Sequence, residues 1–182
     1  MKITELTIFI GLLWLIVILD SGMGHTLSHW GVIPRTAIGL RGIFFWTFLH
    51  NNSTHLMANT LPLAMLAWFV LLRGFKTFFV LTLAVTVIAG CILWLIGRPA
   101  IHVGSSGLIF GYFGFLVALG WYEHSFKAWF FSIFTLLLYG GIIWGVLPQE
   151  GHISWEGHLS GLIAGWYMAS QWARKTIRAN TV

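Results

Sequence analysis

Three short clusters in the sequence hold side chains able to do chemistry. The first is Gly104-Ser105-Ser106-Gly107, a hydroxyl flanked by glycines at the opening of an apolar run. Glycine lets the backbone approach other groups closely. Ser106 falls at the start of a predicted helix, where free N–H groups and the positive dipole end favour a developing anion. The second cluster is Gly157-His158-Leu159-Ser160-Gly161, continued by Gly165. Its glycines recur every four residues and make a small-residue face with His158 at its edge. Gly107, Gly111 and Gly114 make a similar face behind Ser106. Two such faces pack with their backbones close, which brings a hydroxyl and an imidazole within the reach that nucleophile activation requires. The third cluster is His55-Leu56-Met57-Ala58-Asn59, whose i, i+4 spacing sets His55 and Asn59 on one helix face. Two polar side chains aimed at one point can donate to an oxyanion. Pro62, three residues on, removes a backbone donor and predicts a local distortion.

The elements that must hold these clusters are membrane helices. Of 182 residues, 58% are hydrophobic and 8% charged, against about 25% charged in a soluble domain. The apolar residues come in runs long enough to span a bilayer. Eleven Trp and fifteen Phe suit interfacial belts and packing between spans. The predicted fold is all-α: one polytopic domain over residues 1–182, with spans near 4–20, 55–72, 77–97, 105–122, 127–147 and 157–173. The run from Leu6 to Leu19 reads as a retained first span rather than a signal peptide, because Lys2 is set against Glu5 and no small-residue cleavage site follows closely. A helix from Ser106 to Tyr122 is roughly 25 Å long, so Ser106 is expected below the outer surface. Irregular backbone over 98–105 then dips in to meet it, which is tolerated only where protein buries it or water lines it.

Basic residues orient the spans. With a cytoplasmic N-terminus, Lys2, Arg73, Lys76, Lys127, Arg174, Lys175 and Arg178 lie inside and Arg35, Arg41 and Arg98 outside. Both termini are then cytoplasmic, and the net charge of +5 reflects topology rather than nucleic-acid binding. All the histidines except His124 fall on the outer side, and intramembrane ionisable groups mark functional sites. The long outer connection near 21–54 is apolar and glycine-rich and is expected to lie partly in the interface. Cys91 stands alone and can form neither a disulfide nor a cysteine metal site.

Together these clusters resemble the rhomboid family of intramembrane serine proteases: GxSG at 104–107, HxxxN at 55–59, and a histidine before a GxxxG stripe at 158–165. Gly42-Ile43-Phe44 through Phe48-Leu49-His50 is also similar to bacterial members. The resemblance implies a six-span bundle in a bacterial cell membrane. It implies that Ser106 attacks a peptide carbonyl, that His158 takes its proton and passes it to the leaving amine, and that Asn59, His55 and the Ser106 N–H hold the oxyanion. It implies transmembrane substrates, a surrounding bilayer and no cofactor or metal. The family pattern is a Ser–His dyad, and none of Glu5, Asp20, Glu123, Glu150 and Glu156 sits at matching depth within a span. Two departures stand out. Phe110 occupies a position where many members stack Tyr on the catalytic histidine, and the Trp-Arg pair common in the first outer loop is replaced by Leu40-Arg41-Gly42.

Plainer uses exist for each residue. Ser106 is the kind of small residue that packs membrane helices, His158 could brace a loop carbonyl, and His55 and Asn59 could be structural hydrogen-bonders. His25 and His29 have the spacing of a metal pair, though in a glycine-rich stretch. His50, His102 and His152 read most simply as interfacial polar residues, His152 as a possible liner of the water path. The alternative function is a proteolytically inactive rhomboid relative or a histidine-rich membrane protein that binds client helices, metal or haem.

Overall fold

The computed structural model describes residues 2–149 and 153–180; Glu150 and His152, singled out above, lie outside them. Six α-helices account for most of the described chain: α1 (Lys2–Gly22), α2 (Ser53–Leu71), α3 (Phe75–Ile96), α4 (Ser106–Glu123), α5 (Phe126–Tyr139) and α6 (Trp155–Asn180). The chain is all-α, and its one isolated β-bridge among the described residues pairs Val32 with His102. Lys2–Gly22, Ser53–Leu71, Phe75–Ile96 and Phe126–Val146 are long and apolar enough to cross a membrane. α4 carries four glycines, and α6 carries more polar residues. α4 can do so because it is the central helix, buried along most of its length and packed on α6, α5, α2 and α3.

The α4–α6 contact is the tightest in the bundle. A Cβ at Gly161 would overlap the Gly107 carbonyl, and one at Gly165 the Gly111 carbonyl. Only glycine lets these two backbones meet, so the helix that begins at Ser106 and the helix that carries His158 are held in fixed register. On the other side of α4, Tyr112 and Thr82 of α3 share a buried hydrogen bond of 2.6 Å. At the opposite end from Ser106, Arg73 donates to Glu123 and ties the end of α2 to the end of α4.

The apolar run expected as one span over 127–147 is continuous but changes its helical type partway. α5 stops at Tyr139, and Gly140–Val146 continues as a 3-10 turn with no buried residue. Hydropathy is blind to this change, and paired glycines at 140 and 141 weaken the α-helix there. Pro62 sits inside an otherwise continuous α2.

The first outer connection is folded rather than free. It contains 3-10 turns at Ser28–Trp30 and Ile38–Phe44. Asp20 is buried and accepts from the backbone N–H groups of Leu27 (2.6 Å) and Ser28 (3.2 Å), which starts the loop's return. The Arg41 guanidinium lies 4.4 Å over the Trp30 ring, so an arginine–tryptophan contact exists here between residues far apart in the loop rather than adjacent.

Trp46 is the part of this loop that reaches the bundle centre. It is 2% exposed, and its indole N–H donates to the Thr86 carbonyl of α3 at 3.1 Å. Its backbone carbonyl accepts from Gly104 N–H at 2.8 Å. The indole lies against Gly107, where a Cβ would collide with it, and 3.3 Å from the Cβ position of Gly157. One side chain therefore abuts the residue after Ser106 and the residue before His158.

Candidate active site

Ser106, His158, His55 and Asn59 line one cavity of about 590 Å³, together with Asn51, Asn52, Ala58, Val103, Ile153 and Ser154. Three helix ends converge on it. α4 begins at Ser106, α2 begins two residues before His55, and α6 begins three residues before His158. Asn52 caps α2 by accepting from His55 N–H at 2.8 Å, which fixes the histidine in the first turn. In α6, Ser154 Oγ accepts from Gly157 N–H at 3.2 Å and does the same for the turn that carries His158.

Gly104 adopts φ +133°, a backbone state that other residues rarely enter. A Cβ there would lie 2.7 Å from His55 Cε1, so the glycine also lets the imidazole close on the loop before Ser106. Ser105 is fully buried, and its N–H and hydroxyl both meet His50 Nε2, at 3.1 and 3.0 Å. A backbone N–H can only donate, so Nε2 is the acceptor and the His50 proton resides on Nδ1. His50 is 2% exposed. Burial, with His55 beside it, pushes its pKa down to about 3, so it stays neutral and able to accept. Its ring meets His55 edge-on at 5.2 Å.

His158 is held on two sides. Its ring stacks on Phe110, with centroids 4.3 Å apart and planes 10° from parallel. Its Nδ1 lies 2.8 Å from the Gly145 carbonyl. A carbonyl can only accept, so Nδ1 carries the proton and Nε2 is the basic nitrogen. No hydrogen bond joins Ser106 to His158 among the described residues; they share the cavity wall without direct bonding. Catalytic hydrogen bonds commonly tighten only when substrate arrives. Asn59 Nδ2 is buried without a partner, an unsatisfied donor on a cavity-lining residue.

Glu156, two residues before His158, is 2% exposed, but its carboxylate turns to Arg98 rather than the imidazole. Oε1 accepts from Arg98 N–H at 3.2 Å and lies 3.6 Å from Nε. Arg98 also donates to the Ile153 carbonyl. His102 meets Ser154 Oγ at 2.6 Å and the Arg98 carbonyl at 3.0 Å, and its burial lowers its pKa. These contacts strap the 98–105 segment to the start of α6.

His50 and His102 are thus buried hydrogen-bonding residues, not interfacial ones. Their positions five residues before His55 and four before Ser106 were the available signal. His25 and His29 do not join a metal-binding group; among the described residues no three His, Cys, Asp or Glu side chains assemble as a metal would need.

The rhomboid domain family matches residues 37–174. An uncharacterised protein of Mycobacterium bovis is 39% identical over 173 residues, which is 89% of this chain and 71% of that protein. One from Mycobacterium leprae is 37% identical over 187 residues, 96% and 73% of the two chains. A protein of Acanthamoeba polyphaga mimivirus that carries the rhomboid name is 31% identical over 127 residues, 65% and 67% of the two chains. The matched region contains the whole cavity, the 104–107 turn and both histidine-bearing helices, and on that ground the chain is a membrane protein that belongs to the rhomboid family.

Proposed function

We propose that this protein is an intramembrane serine endopeptidase that cuts transmembrane segments of other membrane proteins near the outer face. The observation that carries the reading is the single cavity lined by Ser106, His158, His55 and Asn59. His158 Nε2 takes the Ser106 proton as Oγ adds to the peptide carbonyl. The oxyanion is held by Asn59, His55 and the Ser106 N–H. The C–N bond then breaks, and the proton on Nε2 passes to the leaving amine. Water, deprotonated in turn by His158, hydrolyses the acyl-enzyme and restores the serine. Phe110 positions the His158 ring by stacking, and Gly104 shapes the loop that presents Ser106 to the carbonyl. No cofactor or metal enters this scheme.

The same proposal includes one domain over 1–182 with six spans, both termini cytoplasmic, in a bacterial cell membrane. Substrates are single spans with helix-weakening residues near the outer face, because a peptide bond must leave the helix to reach Ser106.

The test is labelling of detergent-solubilised protein by a fluorophosphonate. Wild type and Ser105→Ala label, and Ser106→Ala does not. Labelling that survives Ser106→Ala overturns the assignment of the nucleophile. A folded wild type that never labels favours a relative that only holds client helices.

A further inference from the structure

A base in a serine hydrolase needs a second group to fix its tautomer and ring orientation, and an aspartate commonly does this. Here Glu156, two residues before His158, turns Oε1 to Arg98, and no hydrogen bond joins its carboxylate to the imidazole. The group that meets His158 Nδ1 is the backbone carbonyl of Gly145 at 2.8 Å. Gly145 also closes on the far side of the aromatic stack. A Cβ at this residue would lie 2.9 Å from Phe110 Cζ and 3.2 Å from His158 Nδ1, so no larger residue brings its carbonyl this near.

The carbonyl belongs to the 3-10 segment Gly140–Val146, which buries none of its residues. Gly140 and Gly141 have open space where side chains would be. The α5 helix before it turns most of its surface outward, with Leu136, Leu137 and Leu138 all exposed. Ile142 packs partly buried against the core, and the Gly145 carbonyl gives the segment its polar contact with His158.

We propose that the Gly145 carbonyl is the positioning group for the base, and that the base is set for catalysis only while the 140–146 segment is seated on the Phe110–His158 pair. The inference rests on the reading of Ser106 and His158 as a dyad. It adds a positioning group to that site, a backbone carbonyl that holds His158 in the Nδ1–H tautomer. Loss of the carbonyl leaves the proton free to sit on either nitrogen, and the Nε2–H form cannot accept from Ser106.

Two variants test this. Gly145→Ala pushes the segment off by bulk. An ester in place of the Gly145–Val146 amide weakens the same carbonyl as an acceptor without added bulk. Nitrogen-15 spectra of His158 are expected to report the Nδ1–H tautomer in the wild type and a mixture in both variants. Cleavage of a transmembrane substrate should show kcat lowered about 10- to 100-fold with KM unchanged, and fluorophosphonate labelling should slow in step. A His158 tautomer and labelling rate identical to wild type in the folded ester variant would overturn the proposal. A wild type that shows the Nδ1–H tautomer yet never labels overturns the protease reading and leaves the positioning contact standing, so the two failures are told apart.

Discussion

Phe110 lies flat on His158, 4.3 Å between ring centroids and 10° between planes. The stack does without a hydroxyl, because orientation of the imidazole comes from ring contact on one face and from the Gly145 carbonyl at Nδ1. Phe110→Tyr is therefore expected to keep most of the activity. Phe110→Ala removes the face contact, and kcat should fall about tenfold, in line with aromatic pairs worth roughly 0.5–1.5 kcal/mol. Steady-state cleavage of a transmembrane substrate by the two variants checks this.

Asn59→Ala should lower kcat about 100-fold, the usual effect of losing one oxyanion donor. Its Nδ2 has no partner in the resting protein, so thermal stability in detergent should change little. A large loss of stability with kcat intact would assign Asn59 to structure instead.

Gly104→Ala should abolish cleavage while leaving the helices formed. Alanine is strained at φ +133°, and its Cβ would press on His55. The cost of such a backbone state is about 1–3 kcal/mol. Circular dichroism beside an activity assay separates the two effects.

Stability should fall in acid through His50. Its folded pKa of about 3 lies below the ordinary histidine value of 6.5, so the unfolded chain binds the extra proton first. The contribution is full above about pH 6.5 and is lost progressively as pH falls from there toward 3, at about 1.4 kcal/mol per pH unit at most. Thermal denaturation between pH 7 and pH 4 should show this slope in wild type. His50→Gln should flatten it.

Breaking the Arg98–Glu156 pair on one side should destabilise the outer end of the bundle. Removing one partner of a buried ion pair costs about 3–5 kcal/mol, and less here because the Arg98 side chain is 33% exposed. Glu156→Gln keeps the size of the side chain and should lower the melting temperature. Arg98→Met with Glu156→Leu should recover part of the loss, and failure to recover any would place the role in Arg98's bond to Ile153 instead.

The sequence announced some of this and hid the rest for physical reasons. GxSG, HxxxN and the histidine before a glycine stripe are local patterns, and the helices that carry them follow from apolar runs. Ser106, His158, His55 and Asn59 could thus be named before any geometry, whereas Asn51, Asn52, Val103, Ile153 and Ser154, which share the cavity, could not. Gly145 could not be assigned its contact, since a backbone carbonyl acts the same whatever side chain it carries. The break of α5 at Tyr139 escaped because leucine and isoleucine suit an α-helix and a 3-10 turn alike. His50 looked interfacial because its partner, Ser105, is 55 residues away and is brought close only by the folded loop.

Trp46 carries a consequence for anyone who recombines this chain with a relative. Its indole occupies the space that a side chain at position 107 would need and crowds one at position 157, where Ser154 stands closer still, and those positions are 50 residues apart. The first outer loop, the 104–107 turn and the start of α6 therefore form one transferable cassette. A chimera that imports the loop without its two glycines inherits a steric conflict beside both reactive residues, and one that imports the glycines without the tryptophan inherits a hole.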